Sequence, residues 1–213
     1  MSTSRIDGDL NVSGNVTVGG SVLPGITRAN MIQEDFAAYA VRFTDLRVWD
    51  AYQTAIGTAG SDDLGLSTGG TWGINAPYIS AGDLKAAGAT TRRARFLYTL
   101  PPEYVAGQSI RISAFSGMIT TAADTSCTID FEAYAVVTSG TGGTITGSDL
   151  VTTSATSINS TTLAEKAFDL TATGRVAGDV IDIRMSIACT DAATVTAVIP
   201  AVAALQMKLD IKG

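Results

Sequence analysis

The chain has 213 residues, of which 46% are hydrophobic and 16% are charged, so it is long enough for one packed domain with an appendage. Its formal net charge is −6, and this acidic balance argues against nucleic-acid binding, which needs a basic face to replace the counterions of the phosphates. The chain contains no histidine, which excludes a Ser–His–Asp or Cys–His catalytic site within one chain.

The first predicted element is a six-residue repeat near the start of the chain. Gly8, Gly14 and Gly20 recur at equal spacing and permit the turns that restart each short strand. Apolar residues two apart share one face of a strand, yet so thin a ribbon cannot bury that face alone. A hairpin of residues 10–12 with 16–18 is one solution. We instead predict a seam between three chains, formed by Leu10, Val12, Val16, Val18 and Val22.

A short amphipathic helix is predicted next, over about residues 28–38, after Pro24 and Gly25 end the repeat. Thr27 is placed as its N-cap. The apolar contact face of this helix consists of Met31, Ile32, Phe36 and Tyr39. The chain is therefore divided into a β arm (1–26), a helix with its connector (27–44) and a body (45–213).

The body shows the two-residue alternation of half-buried strands. Each run has one apolar and one polar face, so a second sheet must cover the apolar face. The predicted fold is all-β: an antiparallel two-sheet β-sandwich, jelly-roll-like, preceded by a short N-terminal β-repeat arm and one short helix. The clearest runs are residues 95–100, 109–115, 127–133, 166–170, 180–189 and 205–211.

Two turn units in the body resemble each other. Tyr104-Val-Ala-Gly107 and Arg175-Val-Ala-Gly178 each precede a long alternating strand. Each unit places a glycine at the turn, where a left-handed conformation is available to the backbone. The two halves of a jelly roll would have this appearance.

Cys127 and Cys189 lie among alternating apolar residues, where a free cysteine packs as a small hydrophobe. We expect two buried thiols, with a Cys127–Cys189 bridge as the alternative if the two strands face each other. The chain opens on polar residues without the apolar stretch of a signal peptide. Its longest apolar run, residues 195–205, is too short for a bilayer. We expect synthesis in a reducing cytoplasm and no membrane partner.

Paired carboxylates are the remaining candidates for chemistry. Asp130 and Glu132 share the polar face of one strand, as the two acids of a glycoside hydrolase would require. Asp62 and Asp63 lie in a Gly/Ser-rich loop, where oxygen donors hold Ca²⁺ in some proteins. Acids in such places more often solvate the surface. We therefore expect no enzyme activity, no catalytic residue, no metal and no cofactor.

Aromatic and basic side chains provide candidates for binding. A sugar-binding platform would use Trp49, Trp72, Tyr78 and Tyr104, although ordinary packing is the expectation we prefer. The only basic cluster is Arg92, Arg93 and Arg95, and we expect it to solvate one strand end.

The segment DGDLNVSGNVTVGGSV at residues 7–22, with the helix and Thr/Ala/Gly-rich sandwich, resembles structural proteins of tailed bacteriophages. The nearest type is the capsid decoration (cement) or head-fibre protein with a jelly-roll body. The resemblance implies a homotrimer in the virion that binds the phage major capsid protein and stabilises the head by bridging capsid subunits. Tail-fibre proteins begin similarly, which implies the alternative of a receptor-binding protein that grips host surface glycans. A polysaccharide-acting enzyme or carbohydrate-binding module is the third hypothesis.

Overall fold

The computed structural model falls into two compact units, residues 1–36 and 37–213. In the first unit, strands β1 (Thr17–Val18) and β2 (Ser21–Val22) pair antiparallel, with Thr17 opposite Val22. The residues that the structure describes are 17–18, 21–22, 37–67, 76–137, 141, 143–192 and 196–211.

The second unit contains two antiparallel sheets. Sheet I follows the order β10-β8-β12-β6, with β9 also paired to β8, and sheet II follows the order β11-β7-β13-β5-β4, with β3 also paired to β13. The strands of sheet I are β6 (Thr90–Thr99), β8 (Ser126–Val136), β9 (Ile145–Thr146), β10 (Thr156–Ser157) and β12 (Val180–Thr190). The strands of sheet II are β3 (Ala37–Ala40), β4 (Gly65–Ser67), β5 (Tyr78–Ser80), β7 (Ile110–Met118), β11 (Ala164–Leu170) and β13 (Pro200–Leu209).

One continuous apolar core lies between the two sheets. Along β12, Ile183, Met185 and Ile187 are buried and alternate with half-exposed residues, so the two-residue period decides which face enters the core. Phe131 of sheet I meets Phe168 of sheet II edge to face, with ring centroids 4.9 Å apart. The predicted all-β antiparallel sandwich is confirmed, and strands β6, β7, β8, β11, β12 and β13 each overlap one of the six alternating runs.

The helix predicted at residues 28–38 is wrong for its last two residues, and residues 28–36 lie outside the described residues. Ala37 and Ala38 belong to β3, as does Tyr39, because this segment pairs in register with Leu209, Lys208 and Met207 of β13. Met31, Ile32 and Phe36 of the proposed contact face lie outside the described residues. Within the described ranges the only helical segment is a 3-10 turn at Phe43–Asp45, and no helix there is long and apolar enough to cross a bilayer.

The trimer seam stays a prediction. Val18 lies in β1 and Val22 in β2, in a pairing within one chain. The remaining seam positions Leu10, Val12 and Val16, and the turn positions Gly8, Gly14 and Gly20, lie outside the described residues.

The two cysteines form a disulfide rather than the two thiols that we expected. Strands β8 and β12 pair so that Cys127 lies directly opposite Cys189, with Cα atoms 4.1 Å apart. Both side chains are buried in the core, as their apolar surroundings predicted. The bridge follows from the register of two strands, which two cysteines 62 positions apart do not reveal by themselves.

Candidate functional site

The loop of residues 46–64 runs along β6, the strand at one edge of sheet I. Leu46 and Leu64 are fully buried and anchor its two ends in the core. Arg47 and Arg95 exchange backbone hydrogen bonds of 2.7 and 3.0 Å, and the Leu64 amide donates to the Arg93 carbonyl. Because these bonds satisfy the outer backbone groups of β6, the loop occupies a strand edge that would otherwise be open. It also brings Trp49 and Tyr52 beside the outer face of sheet I.

Three arginines lie on this outer face, where the alternation of β6 and β12 directs side chains away from the core. Each guanidinium lies over an aromatic ring, an arrangement in which the ring face attracts the cation. The pairs are Arg93 over Trp49 at 5.4 Å, Arg95 over Tyr52 at 5.8 Å and Arg184 over Tyr134 at 4.5 Å.

A buried carboxylate holds two of these arginines in place. The Asp182 side chain is 1% exposed and accepts two hydrogen bonds from Arg95, at 2.7 and 2.9 Å. Arg184 donates to the same carboxylate from Nε at 3.1 Å, and its Nη2 lies 3.0 Å away. The fork-to-carboxylate geometry fixes the planes of both guanidinium groups. Asp182 therefore positions the arginines and is not itself accessible to a ligand.

The indole ring of Trp49 is held in one orientation. Its Nε1 donates a 2.8 Å hydrogen bond to Asp62 Oδ2, from the same loop. Arg93 lies over the ring. An aromatic ring that is already fixed loses little conformational freedom when a ligand stacks on it.

Trp49 and Arg184 border a pocket of about 190 Å³ on this face, which we call the groove. Its wall includes the exposed carboxylate of Glu132, whose Oε2 accepts a 3.3 Å hydrogen bond from the Tyr134 hydroxyl. The pocket therefore combines the Trp49 ring with two cations, Arg93 and Arg184, one anion, Glu132, and the Ser186 hydroxyl. Sites that bind polar small molecules have this mixture of groups. The lining residues are Trp49, Arg93, Ala94, Glu132, Arg184, Met185 and Ser186.

Asp130 extends the polar face beyond Ser186, which lies opposite both Asp130 and Arg93 in the strand register. Burial raises the pKa of Asp130, and a hydrogen bond from the Phe131 amide opposes that rise. The negative charges of Asp149 and Glu132 raise the same pKa further.

The three described residues of the candidate aromatic platform lie in different places. Trp49 borders the groove, whereas Tyr104 is buried in the core and donates from its hydroxyl to the Gln108 carbonyl at 2.5 Å. Tyr78 lies in β5 of sheet II, and Trp72 lies outside the described residues. Tyr78 and Tyr104 therefore do not form a platform with Trp49.

Tyr39 has a structural role in sheet II rather than a place on a helix face. Its hydroxyl donates to Glu103 Oε1 at 2.8 Å, and burial with this carboxylate raises the pKa of the Tyr39 hydroxyl.

The carboxylates singled out in the sequence take different positions. Glu132 lines the groove, Asp130 lies on the same strand face, and Asp62 holds Trp49. Burial and the nearby charges of Asp62 and Asp50 raise the pKa of Asp63. Among the residues described, no group of three or more His, Cys, Asp or Glu side chains comes together.

Sequence reasoning missed Arg184 and Ser186 as site residues and placed Arg93 and Arg95 in a solvated strand end. Their alternation with apolar residues does predict one shared outer face. However, the contact between Arg95 and Asp182 joins positions 87 apart, which no local pattern indicates.

No protein-family model matches the chain, and no curated protein sequence matches it. Similar folds occur among solved structures. The CBM22-1 xylan-binding domain of Xyn10C from Paenibacillus barcinonensis has a TM-score of 0.42 at 9% identity, and the match covers 84% of this chain and 97% of that domain. A cleaved adhesin domain of Lys-gingipain from Porphyromonas gingivalis has a TM-score of 0.37 at 13% identity, covering 83% of this chain and 99% of that one.

The enzymatically active domain of tailspike protein 4 from bacteriophage CBA120 is also similar, with a TM-score of 0.39 at 10% identity. The match covers 79% of this chain but only 20% of the tailspike chain. At these identities and TM-scores the similarities carry no argument about function.

Proposed function

We propose that the protein is a structural protein of a tailed bacteriophage whose sandwich binds a saccharide on a surface, in the manner of a receptor-binding protein. The observation that carries the proposal is the groove on sheet I. The sequence resemblance of residues 7–22 to phage structural proteins supports the virion setting. The proposal assigns no catalytic step to the protein.

The groove suits a sugar because a pyranose ring has an apolar face and a rim of hydroxyls. Trp49 is fixed by Asp62 and offers ring surface for the apolar face. Arg184 and Glu132 provide donors and acceptors for hydroxyls at the same pocket. A pocket of about 190 Å³ accommodates about one sugar ring, so affinity for a polymer would come from repeated binding by several chains.

An array of bacterial surface polysaccharides tests this function with the full-length protein. We expect the wild-type protein to bind a subset of the array, and we expect Trp49→Ala to weaken that binding by about tenfold or more, because the stacking surface is lost. Phe115→Ala is the matched control, since Phe115 is a 44% exposed aromatic side chain on sheet II, outside the groove. Binding that survives Trp49→Ala, or that Phe115→Ala reduces equally, would contradict the proposal.

Capsid decoration is the second candidate, and the six-residue glycine repeat of residues 8–25 favours it. Such a repeat needs neighbouring copies before it can enclose an apolar core. A trimer seated on the phage head would bridge capsid subunits through three weak contacts at once. This candidate and the saccharide-binding groove concern different parts of the chain.

The solution mass of the full chain beside a shortened chain lacking residues 1–26 tests the arm. We expect a trimer that becomes a monomer on truncation. If the full chain is a monomer, the seam is wrong for the isolated protein.

The number of copies of the protein in each phage particle separates decoration from fibre. Decoration requires hundreds of copies, whereas fibres require only a few dozen.

A further inference from the structure

We propose that the saccharide bound in the groove is acidic and that its carboxylate binds Arg93, an inference that rests on the saccharide-binding function proposed above. The ligand class is a polysaccharide that carries uronic acid or a related carboxylated sugar.

The ion pairs of the three arginines differ. Arg95 is neutralised by Asp182 at 2.7 Å, and Arg184 lies 3.0 Å from Asp182 and 4.0 Å from Glu132. The guanidinium of Arg93 lies over the Trp49 ring, and no carboxylate of the described residues lies within 4.0 Å of it. Arg93 thus carries the groove charge that the protein itself leaves unpaired.

Two acids near the groove accept hydrogen bonds from neutral donors. Asp62 accepts the indole N–H of Trp49, and Asp130 accepts the amide of Phe131. Ser186 lies opposite Arg93 in the strand register, and its hydroxyl has no hydrogen-bond partner among the described residues. A guanidinium and a hydroxyl, both with free donors, therefore stand side by side in the groove.

Arginine is suited to a carboxylate because its planar fork donates two parallel hydrogen bonds. The Trp49 ring beneath Arg93 restricts the guanidinium plane and reduces the entropy lost on binding. The lining contains two cations, Arg93 and Arg184, and one anion, Glu132. Asp182 and Glu132 accompany Arg184, so Arg93 is the lining cation that remains to attract an acidic sugar over a neutral one.

The test uses the polysaccharide array with one addition: each acidic polysaccharide is paired with its carboxyl-reduced form, in which the uronic acids have become neutral hexoses. We expect the wild-type protein to prefer the acidic member of a pair by about tenfold or more, and to lose this preference as NaCl is raised. Arg93→Gln is expected to bind both members equally weakly, and Arg93→Lys to recover part of the preference.

Arg42→Gln is the control, because it removes the same charge from a side chain that is 79% exposed and pairs only with Asp45 among the described residues. It is expected to retain the preference, and thermal unfolding of each variant confirms that the sandwich is intact. Equal binding of acidic and carboxyl-reduced forms, with Trp49→Ala still weakening both, would overturn the acidic ligand and leave the saccharide-binding function in place. Binding to no polysaccharide would overturn both.

Discussion

At the scale of single residues, the groove depends on Asp182, a buried carboxylate that holds two arginines. Its side chain is 1% exposed, while those of Arg95 and Arg184 are 29% and 34% exposed. The carboxylate itself is therefore removed from water and stabilised by its partners, and the loss of one partner from a buried pair leaves charge without compensation.

We expect Asp182→Ala to lower the free energy of unfolding by about 3 kcal/mol, because two arginines lose a buried partner. Urea unfolding followed by circular dichroism measures the change. Asp169→Ala is the matched control, since Asp169 also pairs with an arginine, Arg111, at 2.6 Å, but its side chain is 55% exposed. Asp169→Ala is expected to lower the free energy of unfolding by less than about 1 kcal/mol. Equal effects of the two substitutions would contradict the role given to Asp182.

Asp130 provides a pH-dependent prediction. Because burial raises its pKa, the folded protein binds this proton more tightly than the unfolded chain. The resulting contribution to stability is present below the unfolded pKa, close to 3.8, and is lost as pH rises through the raised folded pKa. We therefore expect Asp130→Asn to gain stability relative to the wild type between pH 3 and pH 7, as measured by urea unfolding at a series of pH values.

Asp83 is the control with the opposite sign. Burial alone raises the pKa of Asp83, but hydrogen bonds from the Val198 amide and from Lys85 outweigh this and lower it. Its contribution is present above the unfolded pKa and is lost as pH falls, so Asp83→Asn is expected to lose stability relative to the wild type between pH 3 and pH 7. If Asp130→Asn and Asp83→Asn both gain, or both lose, stability relative to the wild type over this pH range, the opposite pKa shifts of the two carboxyl groups are wrong.

At the scale of elements, the two similar turn units pack against each other. The amide of Gly107 donates a 2.9 Å hydrogen bond to the Arg175 carbonyl, and Gln108 and Asp179 close their turns onto Val105 and Val176. Gly107 and Gly178 both have positive φ, at 72° and 89°, so both turns need glycine. The similarity of the two units in the sequence is thus matched by the same turn conformation.

We expect Gly178→Ala to lower the free energy of unfolding by about 1 kcal/mol, because alanine is strained at positive φ. No atom lies within 4 Å of the added Cβ, so the cost comes from the backbone alone. Gly88→Ala is the control: it also meets no atom within 4 Å and lacks a positive φ. Chemical unfolding of both variants makes the comparison, and a neutral Gly178→Ala would contradict the turn conformation.

Long strands were predictable because alternation is a local pattern that the core then enforces. Strand β12 shows this best, with five inward residues from Ile181 to Cys189 that all prove buried. Strand β3 was not predictable, since the alanines of Ala37–Ala40 favour a helix and the segment becomes a strand only by pairing with β13. The loop at residues 46–64 was equally inaccessible to sequence reasoning, because its place along β6 depends on backbone hydrogen bonds between distant segments.

At the scale of the whole molecule, the Cys127–Cys189 disulfide joins two central strands of sheet I across 62 positions. Cross-linking a loop of this length restricts the unfolded chain far more than the folded sandwich. The bridge therefore stabilises the body as a unit.

We expect reduction of the disulfide to lower the free energy of unfolding by up to about 4 kcal/mol. Urea unfolding of protein refolded with and without reductant measures the difference. The double variant Cys127→Ala with Cys189→Ala is the control, since reductant is expected to leave it unchanged. Thiols that react with iodoacetamide in denatured, unreduced protein would show that the bridge is absent.

The candidate site depends on three features of the fold. Buried Asp182 fixes the arginines, and the loop at residues 46–64 places Trp49 beside them. The register of β6, β12 and β8 brings the arginines next to Glu132. The aromatic and charged residue types were visible in the sequence, but their convergence was not. Among the platform residues that the structure describes, Trp49 is the one that lines the groove.

Mapping of backbone-amide chemical shifts shows whether a saccharide binds in the groove on sheet I. Isotope-labelled full-length protein is titrated with oligosaccharides prepared from the acidic polysaccharide that binds most tightly in the array. We expect the largest shifts at Trp49, Arg93, Glu132, Arg184 and Ser186, and no shifts in sheet II. Shifts centred on sheet II around Phe115, shifts confined to residues 1–36, or no shifts at all would contradict a saccharide-binding groove on sheet I.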